Sequence, residues 1–234
     1  MTQFPRARCG HSETEPRRSA NEMNRDQQKN LTETADAIGD QLSWTWNYIA
    51  TLRELQKHAR SHPELIERNN HFFLTITRAM WDALFLKLSH CSDDSKKGRA
   101  MGFPKLFKQL RAYKPNDPIL HATVKKQEGV LRCLSAKRKV EKWRDEVLAH
   151  HTQAATSSDF YQQNKCTLEE VEKLVAKYQR ILHAFTFPLL NLGFRIRDHG
   201  PRAHRGVKQL FTALERGPTT RSTRTAHRGA VSGQ

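Results

Sequence analysis

The chain has 234 residues, of which 37% are hydrophobic and 27% charged, enough for one domain with an apolar core and polar ends. No apolar run reaches the roughly 20 residues that cross a bilayer, and the N-terminal arginines precede no apolar stretch of a secretory signal, so the expected compartment is the cytoplasm. The formal net charge of +16 is concentrated: residues 95–144 hold 15 Lys/Arg against 3 Asp/Glu, and residues 195–234 hold 9 against 2. Such regions suit a polyanion, because each phosphate neutralised releases counterions.

Residues 1–26 are polar and carry Pro5, Gly10 and Pro16, so they read as a flexible tail. From Gln27 to Arg60 the pattern is helical. Leu31, Ala35, Ile38, Leu42, Trp46, Ile49 and Leu52 recur three and four apart, with Gly39 as the expected kink. A second helix opens at Pro63, where the missing N–H costs little, and runs to Leu88. Residues 92–98 are a loop by composition, and residues 103–113 form a short helix.

Asn116-Asp117-Pro118 opens a third long helix with apolar marks from Ile119 to Val147, an expected break at Glu128-Gly129 and an end near His151. After the polar stretch 152–164, Thr167-Leu168-Glu169-Glu170 reads as a capping box for a last core helix, which kinks or ends at Pro188. Residues 201–216 read as a basic helical turn. No strand alternation and no repeat are present. The expected fold is therefore all-α, a bundle of about four to five helices spanning 27–196, followed by a basic, largely disordered tail at 197–234.

The segment that carries chemistry is Glu141-Lys142-Trp143-Arg144-Asp145-Glu146-Val147-Leu148-Ala149-His150-His151. An arginine with a histidine shortly after it is a weak signal alone, since Arg53 with His58 and Arg221 with His227 have similar gaps. Context separates the copy at Arg144. A short acid follows it, apolar Val147-Leu148 and a small residue precede His150, and the segment closes a long helix before a polar loop. On a straight helix, positions six apart lie about 120° apart whereas positions seven apart nearly superpose, so His151 competes with His150.

This string resembles the signature of the HEPN superfamily: an arginine, then Asn, Asp or His, then a histidine about four to six residues after the arginine. "WRDEVLAH", together with the helix, glycine-containing loop and short helix of residues 83–110, is most similar to the abortive-infection, AbiU-like branch. The resemblance covers roughly residues 30–190. It implies an HEPN-like bundle acting as a metal-independent endoribonuclease, toxin- or phage-defence related, in which a homodimer builds one cleft. Arg144 would hold the scissile phosphate, Asp145 would orient the pair, and His150, favoured by its Ala-His context, would move protons as a 2′-hydroxyl attacks, with His151 the alternative that helix geometry offers.

That chemistry is sound for these residues. Imidazole titrates near neutrality, the planar guanidinium grips a developing phosphorane, and RNA brings its own nucleophile. Lys137, Arg138, Lys139 and Lys142, just upstream, are the expected RNA-binding residues. The alternative is a non-catalytic HEPN-like RNA-binding or protein-interaction module, with a nucleotidyltransferase-type antitoxin as partner. In that reading the His pair stabilises a helix C-terminus, and Arg144 pairs with Glu141 or Glu146.

No cofactor is expected. The four cysteines form no CxxC pair and are expected to stay reduced. His90-Cys91 with Asp93 and Asp94 has metal-capable atoms but no second cluster, so no metal is expected either. Walker, GxGxxG and GxSxG motifs are absent. The aromatics Trp44, Trp46, Phe72, Phe73, Trp81 and Phe85 fall on helical repeats and read as core.

Overall fold

The computed structural model describes residues 20–93, 101–149, 164–190 and 200–216. They form eight α-helices and one π-helical turn, with no strand among the described residues. The all-α class agrees with the sequence reading, but the helix count exceeds the expected four to five. Two of the extra helices arise where short breaks divide segments that periodicity alone runs together, and another forms from a segment read as part of the tail.

Helix α1 (Ala20–Ser61) is the spine, and it continues as helix through Gly39. Its inward residues Leu31, Ala35, Ile38, Leu42, Ile49 and Leu52 are all buried, so continuous packing on both sides of Gly39 outweighs the helix weakness of one glycine. Next come α2 (Pro63–Arg68) and α3 (Asn70–Ser92), separated at Asn69. There the Asn69 side-chain amide donates to the Leu65 carbonyl at 2.9 Å, a local bond of the kind that competes with helix continuation.

Helix α4 (Phe103–Tyr113) matches its expected bounds, with Pro104 in its first turn. Helix α5 (Pro118–Cys133) opens at Asp117, whose Oδ1 accepts from the Leu120 N–H at 2.9 Å. The expected interruption at Glu128-Gly129 is absent. The helix instead breaks at Leu134, which takes extended backbone (φ −75°, ψ 111°), and α6 (Ser135–Trp143) follows. The Arg111–Glu128 pair, at 2.7 Å between α4 and α5, holds the Glu128 turn helical.

The capping box forms as read: the Glu170 N–H donates to Thr167 Oγ1 at 3.1 Å, and the Thr167 N–H to Glu170 Oε2 at 2.8 Å. It opens α7 (Leu168–Leu190), which runs through Pro188 to its end. Residues Gly200–Arg216, read as a basic turn within the tail, form a 17-residue helix, α8. Its Ala203, Val207 and Phe211 are buried.

The main core lies between α1, α3, α4 and α7, with Phe103, Phe107, Tyr178 and Phe185 among its largest buried side chains. A smaller second core forms at the other end of α3. There Leu55, Leu65 and Phe73 meet Val207 and Phe211 of α8. No described helix is long and apolar enough to cross a membrane. Cys91, Cys133 and Cys166 are free thiols.

Glu170 also accepts from Lys139 Nζ at 2.8 Å, so the cap of α7 is tied to α6. These bonds, Lys139 first and the Thr167 N–H second, hold the Glu170 carboxyl below its ordinary value of 4.5. A depressed folded-state value contributes stability that is present above 4.5 and lost as pH falls through the folded value. Glu170→Gln is therefore expected to melt below wild type at neutral pH, with the two curves converging once pH drops under 4.5. Thr167→Ala should cost about 1 kcal/mol in urea unfolding.

Candidate active site

Helix α6 is amphipathic and passes directly into the π-helical turn Arg144–Ala149. Val140, Trp143 and Val147 point inward: Val140 and Val147 are buried, and the Trp143 ring meets Phe85 edge-on at 5.4 Å. The indole N–H lies 3.4 Å from Asp82 Oδ1, fixing the rotation of the segment against α3. Arg144 keeps right-handed helical backbone (φ −57°, ψ −50°) as the hydrogen bonding widens. Single π-helical turns are uncommon and frequent at functional sites, because the wider turn re-aims the side chains on it.

The Arg144 side chain is about one-quarter exposed. Its Nε and Nη2 both donate to Asp145 Oδ1 at 2.7 Å. Its Nη1 stands 3.8 Å from Asp93 Oδ1, at the C-terminal end of α3. Arg144 thus meets its own motif neighbour and Asp93, whereas the sequence offered Glu141 or Glu146 as its pairing partners. Glu141 is occupied by Lys137 at 2.5 Å and by the Ser92 hydroxyl at 3.2 Å.

His150 and His151 lie outside the described residues. The straight-helix comparison between them does not carry over, because the turn that precedes them is π-helical. A third imidazole is close enough to feel Arg144. His90 is held below the ordinary histidine value, first by desolvation, then by Lys87, with Arg144 adding in the same direction and Asp93 opposing. It is therefore mainly neutral at pH 7. Nothing in the local sequence linked His90 to Arg144, since the contact is made by packing the end of α3 against the π turn.

Among the expected RNA-binding residues, Arg138 and Lys142 are exposed one turn apart on α6. Lys137 is paired with Glu141, and Lys139 bridges Glu170 and the Lys165 carbonyl, so both also fasten the fold. A cleft of about 460 Å³ brings Lys108, Arg111 and Arg132, which the sequence reading did not single out, together with Lys137. Glu128, paired with Arg111, is the one acid among its described lining residues. A second groove of about 620 Å³ has an apolar wall of Leu74, Trp81, Phe85 and Trp143 with Arg78, Asp82 and Lys165 also lining it, and begins one residue before Arg144.

Among the described residues, the candidate metal group at His90 does not assemble. Cys91 is fully buried, donates to the Lys87 carbonyl at 3.6 Å, and burial pushes its thiol up to about 12. Asp93 faces Arg144, and Asp94 lies outside the described residues. The aromatic reading divides. Phe73 and Phe85 are core and Trp46 and Trp81 pack against it, but Trp44 is 53% and Phe72 44% exposed.

A family model described as AbiU2, of HEPN type, matches residues 28–228, which take in α1 from residue 28 onward, the other described helices and the Arg144 turn. No curated protein and no solved structure matches the chain. With the family model covering most of its length, an all-α fold and the Arg144-Asp145 motif on a π-helical turn, the chain belongs to the AbiU2 family of HEPN domains, an abortive-infection-related group.

Proposed function

We propose that this protein is a metal-independent endoribonuclease whose cleavage site is built on Arg144. The observation that carries the reading is the pairing of Arg144 and Asp145 on a partly exposed π-helical turn. A guanidinium held in place by its neighbour is preorganised to meet phosphate, and needs no rearrangement as charge develops. Arg144 supplies that electrostatic stabilisation. His150 or His151 removes the 2′-hydroxyl proton and returns one to the leaving 5′-oxygen. RNA approaches across Arg138 and Lys142 and the cleft formed by Lys108, Arg111 and Arg132, where phosphate contacts supply affinity without reading sequence.

The active unit in this reading is a homodimer that faces two Arg144 turns into one cleft. The apolar groove beside Trp143 and the 63% exposed Leu74 on its rim support a second copy seated next to the motif. A nucleotidyltransferase-type antitoxin is the natural regulator of such a toxin.

Purified protein is expected to cut single-stranded RNA in EDTA, with His150→Ala or His151→Ala abolishing cleavage. The residue whose loss does so is the proton carrier. Salt-sensitive RNA binding with no cleavage by wild type would replace this reading with the non-catalytic interaction module.

A further inference from the structure

We propose that Glu54, His58 and His204 form a binding site for a divalent transition metal of the zinc class, which clamps helix α8 onto α1. Glu54 and His58 stand one turn apart on one face of α1, and His204 comes from the first turns of α8. Their ligand atoms all lie within 4.8 Å of one another. A tetrahedral site with bonds of about 2.1 Å has ligand edges of about 3.4 Å, so small rotamer adjustments close the cage. Two imidazoles and one carboxylate suit zinc and its first-row neighbours, whereas calcium and magnesium select oxygen alone.

An independent observation points to the same place. His58 Nε2 is buried and has no hydrogen-bond partner. A buried polar atom of this kind costs stability and is rare in folded proteins unless a water or an ion completes it. The His58 ring is also fixed, stacked on Phe211 at 5.0 Å and on His62 at 6.1 Å. His62 in turn lies 3.5 Å from Glu215 at the end of α8. The imidazole is therefore aimed by its surroundings and not by a hydrogen bond of its own.

Burial, the largest influence, pushes His58 below the ordinary histidine value. The hydrogen bond with His204 holds Glu54 as a carboxylate. His204 Nδ1 and Glu54 Oε2 are 2.8 Å apart, and a metal on these two atoms would displace any proton between them. Lys57 is the nearby cation that opposes the incoming charge.

The clamp has a clear structural task. Helix α8 packs through a small core of Leu55, Leu65, Phe73, Val207 and Phe211, and besides the His204–Glu54 and His62–Glu215 pairs Arg68 donates to the Leu214 carbonyl at 2.8 Å. A metal would lock this basic helix in place next to α1. The site lies at the far end of α3 from Arg144, since Phe211 meets Phe73 while Arg144 meets Asp93, some 30 Å further along the helix. Chelation would loosen α8 without reaching the Arg144 turn.

The test is titration of chelator-treated, dialysed full-length protein with zinc chloride by calorimetry, and with cobalt(II) by visible absorption. Wild type is expected to bind one ion at this site at micromolar or tighter Kd, to show the intense bands of tetrahedral cobalt, and to melt at higher temperature with metal. Glu54→Gln, which keeps the shape of the side chain, and His204→Ala should each weaken binding at least about 100-fold and remove the cobalt bands, with helix content unchanged by circular dichroism. Absence of binding by wild type would overturn the proposal, as would equal binding by both variants, leaving Glu54 and His204 as a simple ion pair.

Discussion

Replacing Arg144 with alanine is expected to reduce RNA cleavage by about 100- to 1,000-fold, the usual loss when one preorganised charge-stabilising group is removed from a transition state. Lysine at this position should recover little. The Asp145 carboxylate is gripped side-on by Nε and Nη2 at once, a geometry that an ammonium on a flexible stem does not reproduce. The rate measurement is interpretable because the substitution should leave the fold intact. Arg144 is partly exposed and its acidic partners, Asp145 and Asp93, are 53% and 36% exposed, so the ion pairs contribute little to stability. A melting temperature within a few degrees of wild type, together with the lost rate, is the expected pair of results. Asp145→Asn keeps an oxygen acceptor and should lose less, which separates a positioning role from the direct one assigned to Arg144.

Among changes to stability, Gly102→Ala is expected to have the largest effect for the smallest change in volume. The backbone there is ordinary (φ −111°), so the constraint is not conformational. It is space. A Cβ on residue 102 would stand 2.8 Å from the Cys91 carbonyl oxygen, 2.9 Å from that of His90 and 3.1 Å from that of Asp93. All three are backbone atoms at the end of α3, and no side chain can swing aside. Overpacking of this kind costs about 1–3 kcal/mol, and in a chain of this size each kcal/mol lowers the melting temperature by about 2–4 °C. The same displacement moves Asp93, and with it one wall of the Arg144 site. Gly102→Ala should therefore lose both heat resistance and cleavage rate, whereas Gly129→Ala, where a Cβ would meet nothing within 4 Å, should lose neither.

The parts of the fold that could be read from sequence are those set by local repetition. The spacing of Leu31 to Leu52 gave α1, Phe103 to Tyr113 gave α4, and Thr167 with Glu170 marked the start of α7, because each signal lies within one or two turns. Breaks were harder. Gly129 read as an interruption yet sits inside α5, where the neighbouring Glu128 pairs with Arg111 of α4. The actual breaks at Asn69 and Leu134 depend on a side-chain amide bond and on the direction the next helix must take. Helix α8 was under-read because Arg202, Arg205 and Lys208 dilute its apolar positions, and Phe211 finds its partners on α1, α2 and α3.

The same division holds for the sites. Arg144 and Asp145 are adjacent and carry a motif, so they could be named at once. Asp93 and His90 reach Arg144 only through the packing of α3 against the π turn. Glu54 and His204 are 150 positions apart, beyond any spacing rule. Both of the motif's histidine candidates, His150 and His151, fall outside the described residues, so the choice between them passes to substitution.

The most direct test of the Arg144 chemistry is the identity of the new 3′ ends when a single-stranded RNA is incubated with the full-length protein in excess chelator. Attack by the neighbouring 2′-hydroxyl predicts 2′,3′-cyclic phosphate ends, present with wild type and missing with Arg144→Ala. Ends bearing a free 3′-hydroxyl, or cutting that stops in chelator and continues in the Arg144 variant, would contradict it.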